Sequence, residues 1–226
     1  IVMGPSGCGK TTVMRSLTGL LPPAAGRVLY GAEDLWTANE AERARLMRRN
    51  GVMYQSGALW SSLTLGENVG LPLEQYTDLS PRQIRDIAAY KLALVGLKGF
   101  DDFYPSQVSG GMQKRVGVAR AMALDPDILY FDEPSAGLDP ISARHLDDLI
   151  LQLRDGLGTT MVVVTHELAS LLAIGDDAVF LDAETKTMLA TGNPRDLRDH
   201  CPDARVRGFL TRGEATHPPD PGAPLR

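Results

Sequence analysis

The sequence predicts an α/β fold with a doubly wound, mostly parallel β-sheet and an inserted helical subdomain. A glycine-rich loop between a strand and a helix opens the chain, and apolar strand candidates alternate with helix candidates after residue 107. Between these parts, helix signals dominate residues 56–107. We therefore predict one domain over 1–212, with its core in 1–55 and 108–212 and a helical lobe in 56–107.

The composition excludes several classes of protein and partner. The 226 residues include 23 Lys+Arg and 28 Asp+Glu, and a net charge of −5 gives no basic field for nucleic acid. No apolar stretch approaches the roughly 18 residues of a membrane-spanning helix. Cys8 and Cys201 lack metal-type spacing and are predicted to be free thiols. Residues 213–226 are rich in proline without an apolar pattern, so we predict a disordered tail.

The first quarter of the chain begins with a short strand and continues into polar helices. Ile1–Met3 is too short for a full strand, so we predict that N-terminal strands of the fold are missing from this chain. We then expect a helix over 12–20, a strand over 27–30, a helix over 40–49 and a strand over 51–55. The arginines of the second helix are candidates for binding phosphate or lipid headgroups, but its glutamates favour a solvated face.

N-cap residues mark the starts of two later helices. Ser80 precedes Pro81 in the lobe, and Asp139 precedes Pro140 in the core. The predicted inner side of the core helix consists of Ile141, Leu146, Leu149, Ile150 and Leu153.

Apolar runs predict the remaining strands. Residues 128–131 and 160–164 are continuously apolar, which is typical of strands buried on both faces of a parallel sheet. Residues 178–182 and 188–191 are predicted to form a hairpin that closes the sheet.

The loop from Gly4 to Thr11 fits the phosphate-binding pattern G-x-x-x-x-G-K-[ST]. Its glycines let backbone N–H groups approach a polyphosphate, while the following helix directs its positive end at the anion. Lys10 is predicted to reach the β- and γ-phosphates of a nucleotide, and the Thr11 hydroxyl to bind Mg²⁺. The predicted phosphate-binding residues of this segment are Gly4, Pro5, Ser6, Gly7, Cys8, Gly9, Lys10, Thr11 and Thr12.

Two acids, Asp132 and Glu133, directly follow the apolar run at 128–131. At the carboxyl end of a parallel strand they would lie beside the phosphate loop. Asp132 is predicted to hold Mg²⁺ through water, and Glu133 to act as the general base for an attacking water. Without the phosphate loop, two acids that open a turn before Pro134 would be the simpler interpretation.

Ser109, Gly110 and Gly111 are predicted to begin a helix whose amides bind an anion. Such a tripeptide is a common loop on its own, but here it lies between the two preceding motifs. His166 follows the apolar strand that ends at Thr165, so its side chain is predicted at the same sheet edge as Asp132.

Together these motifs resemble those of the nucleotide-binding subunits of ABC transporters. The segment from Gly4 to Thr11 resembles the Walker A loop, and Ser109–Gly111 is similar to the signature motif. Residues Ile128 to Glu133 resemble the Walker B strand. The resemblance implies an ATPase with the P-loop NTPase fold that binds ATP and Mg²⁺.

Three further residues gain a role through this resemblance. Gln55 is similar to the Q-loop glutamine, which implies roles in catalysis and in Mg²⁺ binding. Asp139 ends a segment that resembles the D-loop, which implies a place near the nucleotide. His166 resembles the switch histidine, which implies that it senses the γ-phosphate and holds Glu133 and the attacking water.

Within this family, the residues around Gln55, Met112 and Asp132–Ile141 resemble ATPases of Mce-type lipid transporters, including the Mla phospholipid system of Gram-negative bacteria. The resemblance implies a homodimer that sandwiches two ATP molecules, a separate membrane permease and an Mce-type substrate-binding protein. It also implies a peripheral position on the cytoplasmic face of the bacterial inner membrane. Leu59, Trp60, Leu63 and Leu65 offer an apolar surface of the lobe on which the permease would dock. We expect some of these residues to dock and most of them to pack the lobe.

A rival interpretation is a soluble ATPase of the same fold that acts as a nucleotide-gated clamp on a ribosome, DNA or an assembly scaffold. Clamps of the translation type usually carry two cassettes in one chain, and those of the DNA type separate their motifs by a long coiled coil. This sequence contains one cassette and no sustained heptads, which favours the transporter.

Overall fold

The computed structural model describes residues 1–213, so the predicted disordered tail, apart from Gly213, lies outside the described residues. The strands are β1 (Val2–Met3), β2 (Leu29–Tyr30), β3 (Glu33–Asp34), β4 (Asn50–Met53), β5 (Ile128–Asp132), β6 (Thr160–Val164), β7 (Ala178–Leu181) and β8 (Met188–Gly192). The helices are α1 (Lys10–Leu17), α2 (Glu40–Met47), α3 (Leu65–Tyr76), α4 (Pro81–Leu94), α5 (Gly110–Ala121), α6 (Pro140–Leu157), α7 (Leu168–Ile174), α8 (Pro194–His200) and α9 (Ala204–Leu210).

The main sheet has six strands in the order β4-β5-β6-β1-β7-β8. All neighbouring pairs are parallel except β7 and β8, which form an antiparallel hairpin. The mostly parallel sheet and the closing hairpin are therefore confirmed. Because the parallel strands share a direction, the residues that follow β1, β4, β5 and β6 meet at one edge of the sheet.

The lobe helices and the sheet share one hydrophobic cluster, which includes Phe131 of β5, Leu65 of α3 and Leu92 of α4. Ser80 caps α4 as predicted, since its side chain accepts from the backbone N–H of Gln83. The lobe is thus fastened to the sheet by continuous packing. Among residues 1–213, no helix is long and apolar enough to span a bilayer.

Several boundaries differ from the predicted ones. The helix predicted over 12–20 begins at Lys10 and ends at Leu17, because the glycine loop leads directly into the first turn without a capping side chain. The helix predicted over 40–49 ends at Met47. The strand predicted over 51–55 occupies Asn50–Met53, and Tyr54 and Gln55 beyond it are exposed.

Ile141 does not face the core, which corrects the prediction for α6, because 69% of its surface is exposed. The other four predicted positions are buried. At about 100° per residue, Ile141 points about 140° away from Leu146 around the helix axis. Ile141 therefore lies outside the buried face of α6 because of its position around the helix axis, although its side chain is apolar.

The arginines of α2 and its C-terminal end have local partners. Arg45 pairs with Glu33, and Arg49 pairs with Asp127. Arg43 and Arg48 lie over the rings of Trp36 and Tyr76. These contacts favour the solvated-face interpretation over a phosphate or headgroup site.

Candidate active site

The predicted phosphate-binding loop connects β1 to α1 through three glycines with positive φ. Gly4, Gly7 and Gly9 have φ values of 146°, 78° and 103°. A Cβ atom at Gly4 would lie 2.2 Å from the carbonyl oxygen of Leu181, so a larger residue would displace the loop from β7. The loop geometry therefore requires glycine at its first position for two independent reasons.

Lys10 lies at the start of α1 and is buried. Its ammonium group donates to the carbonyl oxygens of Gly4, at 2.8 Å, and Pro5, at 3.0 Å. The side chain thus spans the loop and places a positive charge inside its curve. Cys8 is also buried and free, as predicted, and Cys201 likewise.

Asp132 ends β5 beside the phosphate loop, and its side chain is incompletely satisfied. Its pKa is raised, mainly by burial and also by the charge of Glu133, while Arg15, the Thr11 hydroxyl and Lys10 oppose the shift. Among the described residues, its Oδ1 atom is buried without a hydrogen-bond partner. A buried carboxylate oxygen without a partner, near a threonine hydroxyl, fits a hard cation.

Glu133 and His166 meet across two neighbouring strands. Nδ1 of His166 lies 2.7 Å from Oε1 of Glu133, although the residues are 33 positions apart. The backbone N–H of His166 also approaches Oε2 of Glu133, at 3.4 Å. The parallel pairing that joins Asp132 to Val164 brings the two loops together. His166 therefore lies at the predicted sheet edge.

Glu133 adopts a strained backbone conformation. Its φ is 48°, in the left-handed region that costs a non-glycine residue about 1–3 kcal/mol. Its N–H donates to the carbonyl oxygen of Val164 at 2.8 Å, and its own carbonyl oxygen accepts from Ala136 at 3.2 Å. These bonds hold a turn that aims the Glu133 carboxylate at His166.

The Ser109–Gly111 segment begins α5 as predicted, because the Ser109 hydroxyl accepts from the backbone N–H of Met112. A Cβ atom at Gly111 would lie 3.7 Å from Ser142, in the first turn of α6. The segment thus lies beside the start of α6, and no hydrogen bond joins it to the phosphate loop within residues 1–213.

Asp139 caps α6, and its Oδ1 atom accepts from the N–H groups of Ile141 and Ser142, both at 3.0 Å. Hydrogen bonds from Ser142 are the main reason that the pKa of Asp139 is lowered. The carboxylate predicted near the nucleotide is therefore engaged in capping within its own chain.

Gln55 lies two residues beyond β4 and is exposed. Because β4 pairs in parallel with β5, Gln55 emerges at the same sheet edge as Asp132. The loop after Gln55 is held by Arg120 of α5, which donates to the carbonyl oxygens of Gly57, at 2.7 Å, and Ala58, at 2.8 Å.

Three basic residues in contact with these loops escaped sequence analysis. Besides Arg120, they are Lys114 of α5, which donates to Pro134, and Lys186 of the β7–β8 turn, which donates to Gly7 at 2.9 Å. The sequence signal available for Lys114 was its spacing from Val118: residues four apart on a helix share a face, and Val118 is an apolar residue that is buried in α5. The partners of the other two depend on tertiary packing.

The sheet edge, the glycine loop with its buried lysine and the paired acid and histidine define a P-loop nucleoside triphosphatase. A family profile described as ABC transporter matches residues 1–136. The chain belongs to the ABC transporter family, and the predicted ABC ATPase fold is confirmed.

Curated relatives and solved structures agree with this assignment. The intermembrane phospholipid transport system ATP-binding protein MlaF of Haemophilus influenzae is 40% identical over 217 residues, 96% of this chain and 81% of the relative. The probable ribonucleotide transport ATP-binding protein mkl of Mycobacterium tuberculosis is 37% identical over 93% of this chain and 58% of its own length. The dimeric post-hydrolysis structure of the ATP-binding cassette MJ0796, bound to ADP and Pi, shares 31% identity, with a TM-score of 0.75 over 85% of this chain and 83% of that one.

Proposed function

We propose that this chain is the ATP-hydrolysing subunit of a phospholipid transporter and works with a separate permease. The observation that carries hydrolysis is the 2.7 Å contact of Glu133 with His166, next to Asp132 at the sheet edge. Phospholipid as cargo is supported by the similarity to MlaF over 96% of the chain. That similarity favours a transporter subunit over the soluble clamp.

Phosphate binding is assigned to the loop Gly4–Thr12 with Lys10. The loop amides and the positive end of α1 favour an anion, and the Lys10 ammonium neutralises the phosphates nearest to it. Lys10 already donates two hydrogen bonds to the loop, so its ammonium group is held in place before a nucleotide binds.

The residues that would hold Mg²⁺ are Thr11 and Asp132, with Gln55 at the same edge. The unpartnered Oδ1 of Asp132 supports this assignment. No group of three or more His, Cys, Asp or Glu side chains in the described part of the chain is placed to hold a metal. The remaining ligands therefore come from phosphate and water, which is the usual environment of Mg²⁺. The ion would neutralise charge on the phosphates.

Glu133 is proposed to accept a proton from the attacking water. Its carboxylate oxygen Oε1 faces His166, which orients it, and the neighbouring Asp132 serves the cation. This division leaves one acid free for proton transfer while the other binds metal. His166 is exposed enough to contact a γ-phosphate held by Lys10.

We further propose a homodimer in which Ser109–Gly111 of one copy meets the nucleotide of the other. Ser109 is exposed, and within the described residues it forms no hydrogen bond with the phosphate loop of its own chain. Both observations support a contact with the nucleotide of the other copy. The similarity to the MJ0796 cassette, which is dimeric when bound to ADP and Pi, supports a dimer of this chain. Asp139 binds the backbone N–H of Ser142, which lies beside Gly111 at this end of α5, and would face the same interface.

The permease is proposed to dock at the junction of the lobe and the core, on the cytoplasmic face of the bacterial inner membrane. A cavity of about 550 Å³ lies there, lined by Arg48, Tyr54, Tyr76 and Arg120. Of the predicted docking residues, Trp60 is 63% exposed and remains a candidate. Leu65 is fully buried and Leu59 packs on the core, which agrees with the expectation that most of this set packs the lobe. An Mce-type substrate-binding protein would complete the transporter.

The direct test is Glu133→Gln in the chain assembled with its permease in phospholipid vesicles. ATP affinity should stay within about twofold, and hydrolysis and transfer of labelled phospholipid should slow by roughly 10²–10⁴. Glu184→Gln, an exposed glutamate on the β7–β8 turn, is the control. Full turnover in Glu133→Gln would contradict the base assignment. Hydrolysis without phospholipid transfer would contradict the cargo, and ribonucleotide uptake measured in parallel would then test the alternative named for mkl.

The homodimer is tested by mixing a copy carrying Lys10→Ala with one carrying Ser109→Arg. Both lesions then fall in one composite site, and the other site contains intact motifs only. We expect inactive single-mutant homodimers and measurable hydrolysis by the mixed dimer. A fully active Ser109→Arg homodimer would contradict the contact in trans.

A further inference from the structure

Lys114 is a buried lysine of α5 with unusual partners. Only 7% of its surface is exposed, and its ammonium group donates to the carbonyl oxygens of Pro134 and Ala136, both at 2.6 Å. Within residues 1–213, no carboxylate lies within ion-pair distance of it. Burial lowers its pKa, and the charge of Glu133 partly opposes this shift. A buried charge without a carboxylate partner is costly, so packing alone does not explain a lysine here.

The two carbonyls that Lys114 binds flank Ser135, in the turn that begins at the strained Glu133. Such strain persists only where surrounding contacts fix the backbone. The turn has two internal hydrogen bonds, from Ala136 to Glu133 and from Leu138 to Ser135. Lys114 adds two bonds from outside the turn, which ties its backbone to α5.

Helix α5 also reaches the other loops of the site. Its N-terminal end carries Ser109, and Arg120 near its C-terminal end binds the carbonyls of Gly57 and Ala58, in the loop that follows Gln55. One helix therefore contacts the loops of both Gln55 and Glu133. Lys114 is thus a direct connection from α5 to the Glu133 turn.

We propose that Lys114 is a positioning residue for hydrolysis: it fixes the turn after Glu133 and couples that carboxylate to the position of α5. This inference rests on the proposed ATPase function. Lys114 itself touches no reacting atom, and its effect is exerted through the backbone of Pro134 and Ala136.

The test compares Lys114→Met, Lys114→Arg and Lys91→Met in the chain assembled with its permease. Lys91 of α4 is a similarly buried lysine, 4% exposed, but it pairs with the carboxylate of Asp125. We expect Lys114→Met to lower kcat by roughly 10–100-fold, because displacing a catalytic group by about 1 Å can cost up to about 100-fold in rate. The affinity for ATP should change by less than about twofold. Lys114→Arg should retain most of the kcat of the unmutated chain, because a guanidinium group can donate to both carbonyl oxygens. Lys91→Met should leave kcat unchanged.

A double-mutant cycle with Glu133→Gln separates positioning from general stability. If Lys114 acts through Glu133, adding Lys114→Met to Glu133→Gln lowers the residual turnover no further. Additive losses, or an unchanged kcat in Lys114→Met, would overturn the inference. Should Lys114→Met fail to fold, Lys114→Gln is measured in the same cycle. Absence of turnover in the unmutated complex would instead contradict the proposed function itself.

Discussion

Replacing Asp132 with asparagine should stabilise the nucleotide-free protein while removing its response to Mg²⁺. Oδ1 of Asp132 is buried without a partner among the described residues, and burial is the main cause of the raised pKa. The gain comes from removing the buried charge, because an asparagine amide leaves the same oxygen position without a donor. Desolvation of an incompletely satisfied buried group costs about 1–3 kcal/mol, and the lower half of this range applies because the side chain is only partly buried. Since about 1 kcal/mol corresponds to about 2–4 °C at this chain length, Tm should rise by about 2–8 °C.

The pH dependence of this gain has a definite sign. The pKa of Asp132 in the folded protein lies above its ordinary value of 3.8, so the folded state binds the proton more readily than the unfolded state. The carboxylate therefore destabilises the fold at pH values above its raised pKa. As the pH falls through that pKa toward 3.8, Asp132 becomes neutral, and the advantage of asparagine should disappear.

The assay is thermal unfolding with a metal chelator, repeated with ATP and Mg²⁺. Asp147→Asn is the matched variant, because Oδ1 of Asp147 is also buried without a partner in the described structure and burial also raises its pKa. Both variants should be stabilised without metal, but Asp147→Asn should retain the additional stabilisation by ATP with Mg²⁺. A lowered Tm in Asp132→Asn, or an unchanged response to Mg²⁺, would refute the reasoning.

Three smaller predictions concern the packing of β4, α5 and α6. Gly51→Ala should destabilise the protein by more than about 3 kcal/mol in denaturant unfolding, because its Cβ would lie 2.0 Å from the carbonyl oxygen of Ala121. In the same assay, Gly156→Ala should stabilise the protein by about 0.5–1 kcal/mol, because Gly156 lies inside α6 with open space around its Cβ position. Arg120→Met should leave ATP affinity unchanged but reduce the stimulation of hydrolysis by the permease, because the carbonyl oxygen of Gly57 loses its donor; undiminished stimulation would contradict this.

The parts of the site that the sequence predicts depend on local rules. Ser109 and Asp139 are recognisable as N-caps because a short polar side chain precedes a helix start, and both bind amides as expected. The strand before Asp132 is recognisable by its apolar run. Parallel strand order then brings Glu133 to the edge where His166 emerges, as the sequence predicted for that histidine.

The parts that escaped prediction depend on distant contacts. Lys114 and Arg120 look like ordinary helix residues until α5 is packed against the loops they bind. Ile141 is exposed, although it was predicted to face the core, because apolar character does not specify which side of a helix is buried. The strained φ of Glu133 likewise arises only when two strands fix the turn between them.

The arrangement of α5 links the separate surfaces of the site. Lys10, Asp132, Glu133 and His166 gather at one sheet edge, while the Ser109 end of α5 lies against α6. In a single copy, the amides near Ser109 therefore gain nothing from a nucleotide held by the same chain's Lys10. In the proposed dimer they gain an anion, and a force on that end reaches the turn after Glu133 through α5. In that dimer, closure around the nucleotide and the placement of the proposed general base Glu133 would occur together. We therefore expect an isolated copy to bind ATP but to hydrolyse it slowly.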